Sequence, residues 1–402
     1  MTQIALPRSS GRIDTRQLAP PPPAQGPRAH HTVRSVYAAA HVVPAAWGEN
    51  VPGAPAEVDW GSTLEFRRHV WDLGLGVAEA MDTAQRNMGL DPAACRELVE
   101  RSAQAAAEHS RRHGVPVRDL LVSGVNTDHL PDAPCSPAQV VHAYREQLEH
   151  VEGTGSGAVL MASRHLAACA RDASDYAKVY AEVLGAAQAP VVLHWLGEAF
   201  DPRLRGYFGS TEVDEAMDTV LSIIEADVDK VAGIKMSLLD ARAERALRSR
   251  LPSGVRMYTG DDHHYVDLIR GDGDQHSDAL LGAFAALAPR ASEALSALES
   301  GDAETYQRIL GPTEALSRHV FSPPTQYYKT GVAFLAWLNG LQPAWTMVGG
   351  LHSARSLPHL ARIVELADEC GALSDPAAAA ERWHHLLGTH GIEGPAVTGG
   401  RV

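Results

Sequence analysis

The stretch Val-Ala-Gly-Ile-Lys-Met-Ser at residues 231–237 sets Lys235 among apolar neighbours in a chain that otherwise avoids lysine. Of 35 lysines and arginines, only Lys178, Lys230, Lys235 and Lys329 are lysine, and the other three stand before a strand or in helix-like surroundings. Burying an ammonium costs several kcal/mol unless it is paired, and the usual escape is loss of the proton. Apolar walls can bring a lysine amine from about 10.4 down to roughly 7–8, where it attacks carbonyl carbon readily. The resulting iminium draws electrons from the adjacent carbon–carbon bond, so this chemistry calls for no cofactor. The bland alternative is a strand-end lysine paired with a carboxylate.

Other residues of chemical interest close similar apolar runs. His194 stands near the end of Val-Val-Leu-His-Trp-Leu, and an imidazole with a pKa of about 6.5 serves as both acid and base. Gly260, Asp261 and Asp262 follow Met-Tyr-Thr, Asp82 and Thr83 follow an earlier run, and Asn126 and Thr127 a third. Asp82, Asp261 and Asp262 have a plainer use as turn and helix caps. Trp47, Trp195, Trp337 and Trp345 read as core residues, with Trp195 beside His194 a candidate to face a substrate. The segment Gly-Asp-Asp-His-His-Tyr offers Asp261, His263 and His264, with His276 beyond, as ligands for Zn²⁺ or Mg²⁺. No HxH or HExxH spacing stands behind that metal reading.

The elements that must position these residues alternate regularly. Apolar runs at 35–43, 74–81, 119–125, 157–163, 189–196, 231–237, 255–260 and, less clearly, 278–287 read as strands. Helical patterns with capping signals lie between them. One opens with Asp91-Pro92 and closes at Gly114, and another starts from a capping box at Ser210. Near-continuous apolar strands separated by helices mean parallel strands covered on both faces. Eight such units predict a (β/α)₈ TIM barrel with additional C-terminal helices. An open doubly wound sheet lacks the glycine-rich turn it would need after the first strand. The expected organisation is a flexible proline-rich leader at 1–30, the barrel at 31–287, and a C-terminal helical region at 288–402 packed on it. Barrel sites lie at the carboxyl ends of strands, and Lys235, His194, Asp261, Asp262, Asp82, Thr83, Asn126 and Thr127 fall there.

With 402 residues the chain buries a large core, and a net charge of −14 supplies no basic stripe for nucleic acid. No apolar run reaches the length of a membrane span. Four scattered cysteines and the lack of a signal-peptide pattern lead us to expect a reduced, cytoplasmic protein.

The motifs also carry a resemblance. Gly-Ile-Lys at Lys235, Tyr-Thr-Gly-Asp-Asp at 258–262, and Thr-Gln-Tyr-Tyr-Lys-Thr-Gly in the C-terminal helices resemble, in order, the dihydrodipicolinate synthase and N-acetylneuraminate lyase superfamily. The resemblance runs from about residue 33 to 373 and points to an uncharacterised dihydrodipicolinate-synthase-like branch. It implies a class I aldolase-type lyase with Lys235 as the Schiff-base residue, a small-molecule carbonyl substrate, and a homo-oligomer, dimer or tetramer. Two departures follow from it. The family's proton-shuttling tyrosine is replaced by His194. The family's Gly-Thr-Thr-Gly-Glu carboxylate loop is replaced by Met-Asp-Thr-Ala-Gln-Arg, which keeps Thr83 and gains Asp82 and Arg86. A bare aspartate there repels a carboxylate, so the expected substrate is a carbonyl compound other than simple pyruvate. A barrel that has lost the reaction and binds a small molecule is the alternative of another class.

Overall fold

The computed structural model describes residues 2–23, 25–273 and 275–392. A hairpin of β1 (Gln3–Pro7) and β2 (Ile13–Gln17) comes first. The barrel strands follow as β3 (Val36–Ala39), β4 (Gly76–Glu79), β5 (Leu121–Val125), β6 (Gly157–Leu160), β7 (Val191–Leu196), β8 (Val231–Ser237), β9 (Arg256–Thr259) and β10 (Asp278–Leu281). Each of these eight pairs in parallel with the next, and β10 closes onto β3, so the sheet is a complete (β/α)₈ barrel. Every apolar run of the sequence supplies one strand. The eighth is shorter than its run, because Gly282 ends it and a helix takes over at Ala283–Glu299. The division expected at residue 287 therefore falls inside a helix.

Alternation along each strand sorts the side chains into two layers. Tyr37, Ala39, Ala78, Val122, Val159, Val192, Tyr258 and Leu280 fill the interior. Tyr37 and Tyr258 plug its amino-terminal end, and a Cβ on Gly76 or Gly233 would lie 2.5 Å or 2.8 Å from their rings. The outward residues pack against the helices. The helix Pro92–His113 starts as its sequence predicts, with the Asp91 side chain accepting from Ala94 N, and stops at Gly114 with φ of 74°. The helix Val213–Ala226 has no side-chain cap; Ser210 instead bonds Glu215 across 2.7 Å.

The leader is not a free tail. Ile4, Ala5 and Leu6 are buried, and the hairpin packs on the helices Leu357–Glu369 and Pro376–Thr389. Trp383 donates its indole N–H to Ala5 O at 2.7 Å, and Arg8 reaches Glu365 at 3.0 Å. Further on, His31 is buried between Glu299 and Ser292. The proline-rich composition hid a short apolar strand that packs on helices more than 300 residues away. Among the described residues, no helix is long and apolar enough to cross a membrane.

Candidate active site at the carboxyl end of the barrel

In parallel register His194 on β7 stands opposite Lys235 on β8. Both are in the inward phase of their strands, and both are buried, at 0% and 7% exposure. Gly260 at the end of β9 runs directly beneath them. A Cβ there would fall 2.1 Å from Ser237 Oγ and 2.7 Å from Lys235 Cε, so only glycine leaves the lysine stem its path. His194 Nε2 and Ser237 Oγ are hydrogen-bonded at 3.1 Å, while its Nδ1 is buried without a partner.

Burial governs the electrostatics. It pulls the Lys235 amine down to about 8, against the opposing pull of Asp262 and Asp82. It pushes the Asp262 carboxyl up to about 7, although Ala283 N–H and Lys235 favour the ionised form. His194 is driven well below the ordinary imidazole range, first by burial and then by Lys235. The site therefore holds a neutral imidazole, a lysine near neutrality and a carboxyl near neutrality. Groups of this kind exchange protons with a bound molecule at physiological pH.

The two aspartates after β9 have separate duties. Asp261 accepts from His263 N and His264 N and bonds the His264 ring at 2.9 Å, so it ties the turn. Asp262 accepts from Ala283 N at 2.9 Å and is the one whose charge acts on Lys235. Among the described residues, Asp261, His263, His264 and His276 do not gather their donor atoms round one point. The donors that do so are Asp72, His109 and His113, at the opposite end of the barrel. The metal reading of the Asp261 segment thus loses its geometry.

Asp82 does not stand bare. Its Oδ1 meets Arg86 Nη2 at 2.9 Å, and Arg86 also grips Asp128. Burial by itself would raise the Asp82 carboxyl, but Arg86, Lys329, His194 and Lys235 hold it well below the usual carboxylate range. The repulsion expected from an isolated aspartate is offset at its source. Thr83 Oγ1 and Tyr328 Oη are 2.8 Å apart, joining the loop after β4 to the helix Tyr328–Leu338. Asn126 Oδ1 accepts from Asp128 N and shapes the loop after β5.

Trp195 is a correction. It follows an inward residue and so points outward, where it packs edge-on against Phe208 with ring centroids 5.5 Å apart. Phe208 lies in the segment between β7 and β8 and packs in the same outer layer. Trp47, expected in the core, is fully exposed.

Asp128, Arg164, Asp201, Tyr328 and Lys329 were not read as site residues from the sequence. An alternating chain of ion pairs, Asp82–Arg86–Asp128–Arg164–Asp201, crosses the loops after β4, β5, β6 and β7. Lys329 and Tyr328 come from a C-terminal helix that covers this side of the mouth. The segment Thr-Gln-Tyr-Tyr-Lys-Thr-Gly was the one available signal for them.

A family model described as "Protein of unknown function (DUF993)" matches residues 4–392. No curated protein matches the chain. Among solved structures, it is similar to dihydrodipicolinate synthase from Aquifex aeolicus, with a TM-score of 0.62 and 13% identity over 85% of this chain and 99% of that one. A putative dihydrodipicolinate synthetase from Pseudomonas aeruginosa gives 0.59 and 15% over 83% and 99%. YagE, a prophage protein of the dihydrodipicolinic acid synthase family from E. coli K12 in complex with pyruvate, gives 0.61 and 14% over 84% and 98%. At these identities the likeness is one of fold, and the resemblance read from the motifs holds at that level.

Proposed function

The chain belongs to the family of unknown function DUF993, and from the mouth of its dihydrodipicolinate-synthase-like barrel we propose a Schiff-base-forming carbon–carbon lyase or aldolase that acts on a small-molecule carbonyl compound. The observation that carries this reading is Lys235, buried at a strand end with its amine lowered to about 8 and no carboxylate within ion-pair distance among the described residues. The neutral amine attacks the carbonyl carbon to give a carbinolamine, and loss of water gives the iminium. A base takes the proton of the β-hydroxyl, the bond between the α- and β-carbons breaks and the β-carbon leaves as an aldehyde or ketone. The bonding pair becomes the enamine C=C bond while the iminium π pair returns to nitrogen. Protonation of the enamine carbon and hydrolysis return the amine.

These steps need a proton donor and acceptor at the mouth. His194 offers the unpartnered Nδ1, and Asp262 offers a carboxyl poised near 7. Thr83, Asn126, Gly260 and Asp261 are binding or shaping residues in this reading. The substrate is a carbonyl compound other than simple pyruvate, no nucleic acid or membrane takes part, and the assembly is a cytoplasmic homo-oligomer; solution scattering tests the last point.

The test is reductive trapping with pyruvate, hydroxypyruvate and dihydroxyacetone, followed by peptide mass mapping. A stable adduct is expected on Lys235 and is abolished by Lys235→Ala, whose circular dichroism stays native because β8 keeps its backbone bonds. His194→Ala is expected to keep the adduct while slowing deuterium exchange at the α-carbon of the bound carbonyl by roughly 10²-fold or more. Adduct on another lysine, or turnover retained by Lys235→Ala, rejects the reading.

A further inference from the structure

Lys329 is the second residue of the helix Tyr328–Leu338 and only 2% exposed. An ammonium brings three donors, yet here it donates to Met88 Sδ at 3.2 Å and sits 5.4 Å from the centroid of the Tyr328 ring. A thioether is a weak acceptor and a ring face is no hydrogen-bonding carboxylate. Among the described residues, no acidic oxygen lies within ion-pair distance of Lys329. The nearby acids are already engaged: Asp82 with Arg86, Asp128 with Arg86 and Arg164, and Asp201 with Arg164. Arg86 itself keeps a buried Nε without an acceptor. This side of the mouth thus has a buried ammonium with no carboxylate at ion-pair distance and, beside it, a paired guanidinium with one donor to spare. A buried cation without a direct partner is costly unless an anion meets it.

The loop after β4 places these donors at the carboxyl end of the barrel. Thr83, beside Asp82, meets Tyr328 Oη at 2.8 Å, and the next residue, Lys329, reaches Met88 of the same loop. Burial lowers the Lys329 amine to about 8, which leaves it mostly protonated at neutral pH. Resting on the Schiff-base reading, we infer that Lys329, with Arg86 beside it, is the oxyanion-binding residue of the site, and that the substrate is a carbonyl compound bearing a carboxylate or phosphate. The carbonyl goes to Lys235 and the oxyanion to the helix Tyr328–Leu338 instead of to the loop backbone after β4.

The test uses two matched pairs of probes, pyruvate against methyl pyruvate and dihydroxyacetone phosphate against dihydroxyacetone. Each is trapped by cyanoborohydride in the native full-length protein, in Lys329→Met and in Lys329→Arg, with the adduct mapped to its lysine. Comparing native with variant cancels the intrinsic reactivity of each probe. In the native protein the anionic member of one pair is expected to half-saturate Lys235 at a concentration lower by about tenfold or more. Lys329→Met should erase that preference while still trapping the neutral member, and Lys329→Arg should restore part of it. The pair that responds tells carboxylate from phosphate. A preference kept in Lys329→Met, no preference in the native protein, or an adduct on Lys329 itself overturns the assignment. If no probe labels Lys235, the Schiff-base reading fails, and the anion site is judged separately with lactate and inorganic phosphate, which form no Schiff base. A rise in Tm in the native protein and in Lys235→Met, absent in Lys329→Met, upholds it; equal behaviour of all three rejects it.

Discussion

Lys235 and His194 are lowered by the same burial, but the consequence differs with the starting value. An imidazole that begins at about 6.5 becomes fully neutral, whereas a lysine that begins at about 10.4 only approaches neutrality. In the proposed reaction the neutral amine is the nucleophile, and its fraction grows as pH rises through the pKa. Adduct formation with a carbonyl probe that labels Lys235 should therefore climb up to about pH 8 and then level off. An unburied lysine would go on gaining about tenfold per pH unit to beyond 10. Cyanoborohydride trapping at Lys235 from pH 6 to 10 measures this, and a rise that continues past pH 9 would show that burial does not tune the amine. At this scale Lys235 was legible, because a lone lysine in a lysine-poor strand has few bland explanations. Lys329 was not, since the direction of a helical side chain depends on what the helix packs against. Trp195 was misjudged for a simpler reason: neighbours on a strand face opposite ways, so an inward His194 already implied an outward Trp195.

Among the elements, the eight strands could be read because each is buried on both faces and so appears as a continuous apolar run. Their partners could not. The run at 74–81 contains Glu79, which lies on the outward face of β4 and forms a two-pronged pair with Arg67, both contacts at 2.8 Å. Ser102 adds a third bond at 2.6 Å, and Arg67 also donates to His41 O, just after β3. Both members are fully buried, at 0% exposure. Removing one partner strands the other charge in the packed layer between strand and helices. Glu79→Ala should destabilise the protein by about 3–5 kcal/mol, and the joint replacement of both residues by apolar ones of similar volume should cost less than the single change. Equilibrium unfolding in urea checks both. A loss below about 1 kcal/mol in Glu79→Ala would mean that Arg67 finds other partners.

Over the whole molecule, the least legible contact joins the first strand to the last helix. The hairpin β1–β2 cannot bury its own apolar face, and it uses the C-terminal helices to do so. Ile4 and Leu6 are wholly buried there, Arg16 pairs with Asp368 at 3.1 Å, and Asp368 also accepts Ala19 N at 2.8 Å. Proline-rich flanks on the sequence made this segment look like a tail, since packing of a hairpin on helices so far along the chain leaves no local signature. Full burial of the two aliphatic side chains is worth roughly 1.5–3 kcal/mol each, and the partly exposed ion pairs add little. Deleting residues 2–19 should therefore lower Tm by about 5 °C for a chain of this size. The loss should begin in the helices Leu357–Glu369 and Pro376–Thr389, seen as new protease cleavage within them. These helices pack in turn against Tyr328–Leu338, which brings Tyr328 and Lys329 to the mouth. Trapping at Lys235 should survive the deletion, because β8 belongs to the barrel, while any preference for anionic probes should weaken as the helix carrying Lys329 loosens. Unchanged Tm and an unchanged cleavage pattern would show that the hairpin is an ornament on helices that hold themselves in place.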